Sequence, residues 1–381
     1  MARTFEQLLQ NNLQGSYVMV RIDANVEYTP DGVIDDLEGL RLDRALPTIK
    51  ELQHAGARII LVGHMGRDGS DSLACVGDYF KRKHHLDMVY VQDILQEKAR
   101  QCVASMQDGD IILFENIRAY PGEETNDQIF AQQLAGYADY YVNEAFSVAH
   151  RSHASVTGIP ALIPGYMGIN TQREYENVRD IYVHLDTSLI CVGGAKFKTK
   201  LDLIRRALSQ GAWVFVGGAL AHTFYKARDM SIGLSLWDDV DIDDIAHHDH
   251  LILPDYVVVA TDDEVSEKHI EQVQSDDTIA DMGVSSIDSL IEKLPAGAFS
   301  YILWNGPLGW YEKDYITGTL AFGEWMLAQN AYTTIGGGDT VYVMQKYAPQ
   351  IIEHHDFVST GGGALLDLVI DGYLPGIDVL K

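Results

Sequence analysis

The segment CVGGAKFKTK, Cys191 to Lys200, places two adjacent glycines beside Lys196, Lys198 and Lys200. Glycine lets backbone N–H groups come close to an anion and lysine adds charge, so this combination is suited to holding phosphate. Related groups follow downstream: Gly217-Gly218, Asn305-Gly306-Pro307, and Gly336 to Gly338 with Asp339 and Thr340. The first half of the chain carries a different set, comprising Asp23 and Asn25, His64 and Arg67, Asn116 and Arg118, Asn143, and then His150, Arg151 and His153. Arginine and histidine gathered at one place make a basic pocket for a small anion bearing phosphate or carboxylate groups.

Both sets need a frame, and the hydrophobic pattern supplies one. Apolar runs rich in valine and isoleucine recur between helical stretches: YVMVRID, RIILVGH, MVYV, DIILFEN and DYYVNEA, then SLICVGG, WVFVGG, HLILP, YVVVA, YILWNG and TTIGGG. Leu42, Ala45, Leu46, Ile49 and Leu52 recur at helical spacing and predict one helix ending at Gly56. Strand and helix alternating this often predict an α/β protein with two doubly wound, Rossmann-like parallel-sheet domains. In such sheets ligands bind beyond the carboxyl ends of the strands. Both residue sets fall there, one half suited to a small acid and the other to a nucleotide.

The polar stretch TQREYENVRDIYVHL interrupts the strand rhythm and reads as a helix joining the domains. The expected division is 1–168 for the acid-binding domain, 169–186 for the interdomain helix, 187–360 for the nucleotide domain, and 361–381 for a segment returning towards the first domain.

Composition narrows the partners. With 55 acidic against 28 basic residues and a net charge of −27, the surface repels nucleic-acid backbones and anionic lipid. Any anion must be captured locally. Three widely spaced cysteines, Cys75, Cys102 and Cys191, suit free thiols in a reducing compartment. No apolar run approaches the roughly 18 residues of a membrane span, and the N-terminus lacks the pattern of a signal peptide. A cytoplasmic protein is expected.

Other motifs fail. No G-x-G-x-x-G opens a helix after the first strand, and in GGAKFKTK a phenylalanine, Phe197, stands where a Walker A motif needs its second glycine. The histidines of HHDH (His247 to His250) and of HHD (His354 to Asp356) lie away from predicted strand ends and are read as solvated, not as metal ligands.

The motifs RIDANV, RLDRALPTIKEL, GHMGR, ENIRAYPGEE, VNEAFSVAHRSHAS, GGAKFKTK, WNGPLGWYE, GGGDT and STGGGALLDL occur in the order found in the phosphoglycerate kinase family, and over nearly its whole length the chain resembles that family. The resemblance implies a hinge-bending phosphotransferase with a carboxyl group as acceptor. It would move a phosphoryl group reversibly between 1,3-bisphosphoglycerate and ADP, giving 3-phosphoglycerate and ATP, with Mg2+ accompanying the nucleotide.

Carried over by position, Asp23, Asn25, Arg41, His64, Arg67, Arg118 and Arg151 match the family's acid-binding residues. Arg41 is also its catalytic arginine. Lys196, Lys200, Gly218, Asn305, Glu312, Gly337, Gly338, Asp339 and Thr340 match the nucleotide side, with Glu312 expected at the ribose and Asp339 near the magnesium. Arg41, Lys196, Gly338 and Gly361 make up the catalytic set. Phosphoryl transfer to an ionised carboxylate asks for alignment and charge neutralisation, with no general base. Lys196 and Lys200, four apart, would share a helix face, and Lys198 would not. The resemblance further implies a monomer acting on small molecules, without nucleic acid or membrane.

Several positions depart from the family pattern: Ala24, Asp68, Glu144, Ser147, Thr199, Ala219 and Val284, together with a shortened segment after SLWDDV. None of them removes a charged residue assigned to catalysis. Thr199 stands where a carboxylate is usual beside Lys200, and Ser147 adds a side chain near the acid pocket. The alternative function is a diverged relative that binds nucleotide or acid without efficient turnover.

Overall fold

A computed structural model describes residues 2–261, 264–295, 297 and 299–381, except that the side chain of Thr199 lies outside the described set. The chain forms two compact units, residues 1–176 with 373–381, and residues 177–372.

In the first unit six strands form one parallel sheet: β1 (Tyr17–Ile22), β2 (Arg58–Val62), β3 (Val89–Val91), β4 (Ile111–Phe114), β5 (Tyr140–Glu144) and β6 (Gly165–Met167). Their order is β3-β4-β2-β1-β5-β6. Nearly every residue of β1, β2 and β4 is buried, as expected of strands covered by helices on both faces. Residues 373–381 belong to this unit. Gly376 N donates to Ala149 O at 2.8 Å, Arg3 N donates to Leu380 O at 2.6 Å, and Leu374, Ile377 and Leu380 are buried.

The second unit repeats the design with β7 (Ser188–Val192), β8 (Trp213–Val216), β9 (Leu251–Ile252), β13 (Tyr301–Asn305), β14 (Tyr332–Gly336) and β15 (Phe357–Ser359), in the order β15-β14-β13-β7-β8-β9. A smaller antiparallel sheet, β11-β10-β12, is built from β10 (Tyr256–Ala260), β11 (Val265–His269) and β12 (Thr278–Met282). The run YVVVA, read as part of the parallel series, is β10 of this small sheet. Its burial alternates along the strand, so one face is only half covered, which an antiparallel pairing tolerates.

Two other elements differ from expectation. The helix predicted to run through Leu42 and Leu52 is two helices, Leu40–Asp43 and Leu46–His54. Pro47, second residue of the second helix, lacks the N–H that would bond back to Asp43, so the helical ladder breaks there. The helix Ile169–Val183 runs through the division between Glu176 and Asn177. The helix Gly363–Asp371, placed by the sequence in the returning segment, counts with the second unit. Among the described residues no helix is long and apolar enough to cross a membrane.

Candidate functional site

In the first unit the strand ends bring together a dense group of basic side chains. Arg21, near the end of β1, is 1% exposed; its Nε donates to Ser155 Oγ at 3.0 Å and its Nη2 donates to His64 Nδ1 at 2.8 Å. A guanidinium can only donate, so Nδ1 of His64 is an acceptor and the ring proton sits on Nε2. Burial, reinforced by Arg21, Arg118, Arg151 and His153, drives the His64 pKa far down, and the ring is neutral. His64 is therefore a fixed hydrogen-bond donor through Nε2.

Arg118 donates from Nη1 to Gly66 O at 3.0 Å and pairs with Glu124 at 3.2 Å. Beneath it, the buried Asn116 accepts from Arg118 N at 3.1 Å and donates to Met65 O and Asp71 O, both at 2.8 Å. Asn116 thus ties the ends of β2 and β4 together. Asn143 has a similar framing task, its Nδ2 donating to Gly376 O at 3.0 Å. Asn25 accepts from Gly66 N at 3.0 Å, and Arg67 is exposed. Arg41, on the short helix Leu40–Asp43, is half exposed and lies 3.9 Å from Asp23 Oδ2.

Two first-unit residues, Arg21 and Glu123, escaped sequence reasoning. Arg21 was overlooked, although a lone charge inside the apolar run YVMVRI was the available signal. Glu123 is 1% exposed, accepts from Ser155 N at 2.9 Å and Ser155 Oγ at 2.6 Å, and balances the buried arginine; burial raises its pKa and Arg21 opposes that. Ser147, expected from the sequence to add a side chain near the acid pocket, donates from Oγ to Asp23 Oδ2 at 2.7 Å. It occupies the same carboxylate oxygen that faces Arg41.

In the second unit the strand ends are glycine. Gly218 has φ +61°, and a Cβ there would lie 2.7 Å from Gly194 N and 2.8 Å from Pro307 O. The backbones following β7, β8 and β13 cross at this point, leaving no room for a side chain. Gly194 N donates to Pro307 O at 2.7 Å, Gly217 N to Val192 O at 2.9 Å, and Gly193 N to Asn305 O at 3.0 Å, which locks the crossing.

Beside it opens a cavity of about 470 Å³, whose lining includes Lys196, Gly218, Glu312 and Asp339. Lys196 caps the helix Phe197–Ser209, and its exposed Nζ lies 3.8 Å from Asp339 Oδ2. Lys200 does not line the cavity. It is 8% exposed, with Nζ donating to Gly193 O and, at 3.3 Å, to Asn305 O. Burial lowers its pKa to about 8, against the pull of Asp339. The expected pairing of the two lysines on one face holds only in that both sense Asp339, because the helix starts one residue after Lys196; Lys198 is exposed.

Thr340 is fully buried and its Oγ1 accepts from Gly306 N at 2.7 Å; Asn305 is also buried. Gly337, at φ +92°, turns the chain into the helix Gly338–Tyr347, and Gly361 and Gly362 precede the helix Gly363–Asp371. These residues shape the loops and do not line the cavity.

The histidine clusters lie elsewhere. His250 stacks on Trp213 with ring centroids 4.5 Å apart, and His354 Nδ1 bonds to Gln350 O at 2.6 Å. His355 is buried, and burial lowers its pKa to about 4. Among the described residues no helix lies between Ala227 and Leu251, the segment that contains SLWDDV and the residues after it.

The Phosphoglycerate kinase family profile matches residues 8–372. A phosphoglycerate kinase of Methylorubrum extorquens (strain PA1) is 35% identical, covering 97% of this chain and 96% of its own. One from Thermosynechococcus vestitus is also 35% identical, covering 99% and 98%. The solved structure of phosphoglycerate kinase from Coxiella burnetii superposes with a TM-score of 0.84 at 30% identity, covering 100% of this chain and 99% of that one.

Proposed function

The chain belongs to the phosphoglycerate kinase family, and on that premise we propose how its two units divide the reaction. The reaction is reversible phosphoryl transfer between 1,3-bisphosphoglycerate and ADP, giving 3-phosphoglycerate and ATP. The first unit binds the acid. Arg118, Arg151 and Arg67 supply charge, His64 donates from Nε2, and Asp23 and Asn25 orient the small ligand. The second unit binds the nucleotide phosphates against the glycine crossing and Lys196, with Glu312 at the ribose.

The observation that carries this division is the contrast in charge between the two sets of strand ends. Arg21, Arg118 and Arg151 all bear on His64 in the first unit, whereas the second-unit cavity is walled by glycine backbone with Lys196 at its edge. An acid bearing both a carboxylate and a phosphate needs the former, and a chain of phosphates accompanied by a cation suits the latter.

The half-exposed carboxylate of Asp339 at the cavity edge fits Mg2+, a cation usually held by one or two carboxylates together with substrate phosphates and water. When bound, that ion would neutralise phosphate charge. The chain's own groups do the rest. Arg41 and Lys196 approach the transferred group from the acid and nucleotide sides, and the N-terminus of the helix after Gly361 and Gly362 adds backbone N–H groups. The attacking carboxylate is already ionised, so no base is assigned. Direct transfer requires the two ligands to meet, a step we assign to hinge closure, which also excludes water. We further propose a cytoplasmic monomer, the location being supported by three free cysteines and a strongly acidic surface.

The test is the reverse reaction. With 3-phosphoglycerate and Mg-ATP supplied and the product consumed by a coupled dehydrogenase, NADH oxidation is expected in the wild type and should nearly vanish in Lys196→Ala. Wild-type protein that binds both ligands by calorimetry without turning over would overturn the reading.

A further inference from the structure

The helix Leu40–Asp43, which carries Arg41, is too short to stand alone. Helices shorter than about 12 residues are marginal in water without outside support. Its N-cap, Gly39, has no side chain to cap it, and among the described residues neither helix nor strand lies between Ile22 and Leu40. Arg41 does little to fix itself: its 3.9 Å approach to Asp23 Oδ2 is longer than a hydrogen bond, and Ser147 already donates to that oxygen. The place of the guanidinium therefore depends on what holds the helix.

Part of the hold is Leu42, fully buried in the core of the unit. The rest is Asp43, the last residue of the helix. Tyr79 donates its hydroxyl to Asp43 Oδ1 at 2.9 Å, His84 Nε2 donates to the same oxygen at 2.6 Å, and Lys83 Nζ lies 3.2 Å from Oδ2. A carboxylate can only accept, so Nε2 of His84 carries a proton. All three partners belong to the helix Ala74–His84, whose last turn is basic. That turn also reaches along the incoming chain, with Lys83 Nζ 3.3 Å from Asp36 Oδ1 and Arg82 Nη2 donating to Ile34 O at 2.5 Å. A Cβ on Gly39 would lie 2.1 Å from Cζ of Tyr79, so the chain runs against that ring as it enters the short helix. One helix thus grips the segment at Ile34, Asp36, Gly39 and Asp43, all inside the first unit. A single surface ion pair holds little, but three donors converging on one carboxylate form a network that fixes its place.

We propose that Asp43 is a positioning residue for the transfer: gripped by Tyr79, Lys83 and His84, it fixes the helix that presents Arg41 and, through it, the guanidinium. The inference rests on Arg41 serving the transferred group, as proposed above. In-line transfer tolerates little misplacement, and about 1 Å can cost on the order of 10²-fold.

The test is a double-mutant cycle in the coupled assay. Asp43→Ala should lower kcat about tenfold, because Leu42 still holds part of the helix, while 3-phosphoglycerate affinity by calorimetry moves by no more than about threefold. In the Arg41→Ala background the same change should lower kcat by less than about twofold, since the group it positions is gone. Asp43→Asn keeps an acceptor for Tyr79 and His84 and should stay within about threefold of wild type. A kcat within about twofold of wild type in Asp43→Ala, a loss confined to acid affinity, or a further fall beyond about twofold in the Arg41→Ala background overturns the inference. Wild-type kcat in Arg41→Ala alone removes the reading of Arg41 and the inference with it. Should Asp43→Ala not fold, Tyr79→Phe, which keeps the ring beside Gly39 and removes only the hydroxyl, decides by the same cycle, with an expected fall of about twofold to threefold that vanishes in the Arg41→Ala background.

Discussion

In the first unit the strands end in arginine, histidine, asparagine and aspartate side chains that bond to one another; in the second they end in glycines whose backbones cross. Each arrangement lets a chain of net charge −27 hold an anion, but by opposite means. The first concentrates positive charge and must then stabilise it, which is why Arg21 is matched by the buried Glu123 and by Ser155. The second relies on backbone dipoles and tight packing, so its tolerance for added atoms is low at Gly193, Gly218 and Gly306. Side-chain sites are fragile to charge changes, and backbone sites are fragile to volume.

The sharpest way to break that comparison is to remove one cation from each side. Lys196→Ala should lower kcat by on the order of 10²-fold or more while leaving 3-phosphoglycerate affinity unchanged by calorimetry. Arg41→Ala should also act mainly on kcat, with ADP affinity untouched and only a modest change on the acid side. A loss of acid affinity in the lysine variant, or of ADP affinity in the arginine variant, would dissolve the proposed division.

Next in size comes a test of how the first unit is held. Glu144 is fully buried at the start of the helix Ile169–Val183 and accepts from Thr48 Oγ1 at 2.7 Å and from Asn170 N and Thr171 N at 3.0 Å. Glu144→Gln keeps one acceptor oxygen and turns an N–H against an amide, which should cost about 1–3 kcal/mol in chemical denaturation. Burial raises the Glu144 pKa to about 7, so the folded state binds its proton more tightly than the unfolded one. Its contribution is fully present below about pH 4.5. That stabilisation is lost as pH rises through 7, and the variant should lack the slope.

Histidines in both units give the opposite sign. Burial lowers His153 in the first unit and His355 in the second to about 4. Their contribution is present above about pH 6.5 and is lost as pH falls towards 4. Melting temperatures measured from pH 7 to 4 should fall, and less steeply in His355→Leu; an unchanged slope would remove that residue from the account. The smallest expected effect is local to the acid pocket. Ser147→Gly frees Asp23 Oδ2 and should improve KM for 3-phosphoglycerate by about twofold to threefold, the size of a modest hydrogen bond. A weaker KM would mean the serine helps to orient Asp23.

Much of this was legible in the sequence because strand ends and apolar runs coincide. His64, Arg118 and Lys196 all stood directly after strong valine-rich or isoleucine-rich segments. Arg21 and Glu123 were not legible, because a buried charge is defined by its partner and Arg21 meets Ser155 more than a hundred residues away. The small antiparallel sheet was hidden for another reason: β11 reads VSEKH, too polar for an apolar search. Lys200 was legible as a lysine but not as a buried one, since the carbonyls that hold it come from the ends of two different strands.

The passage of residues 373–381 into the first unit also bears on how the protein is made. A ribosome releases the N-terminus first, and domains generally fold as they emerge. Here the first unit cannot acquire Leu374, Ile377 and Leu380 until the whole of the second unit, residues 177–372, has been synthesised. The unit that begins first is therefore completed last. Asn143, which waits for Gly376, is among the last acid-pocket residues to find its partner.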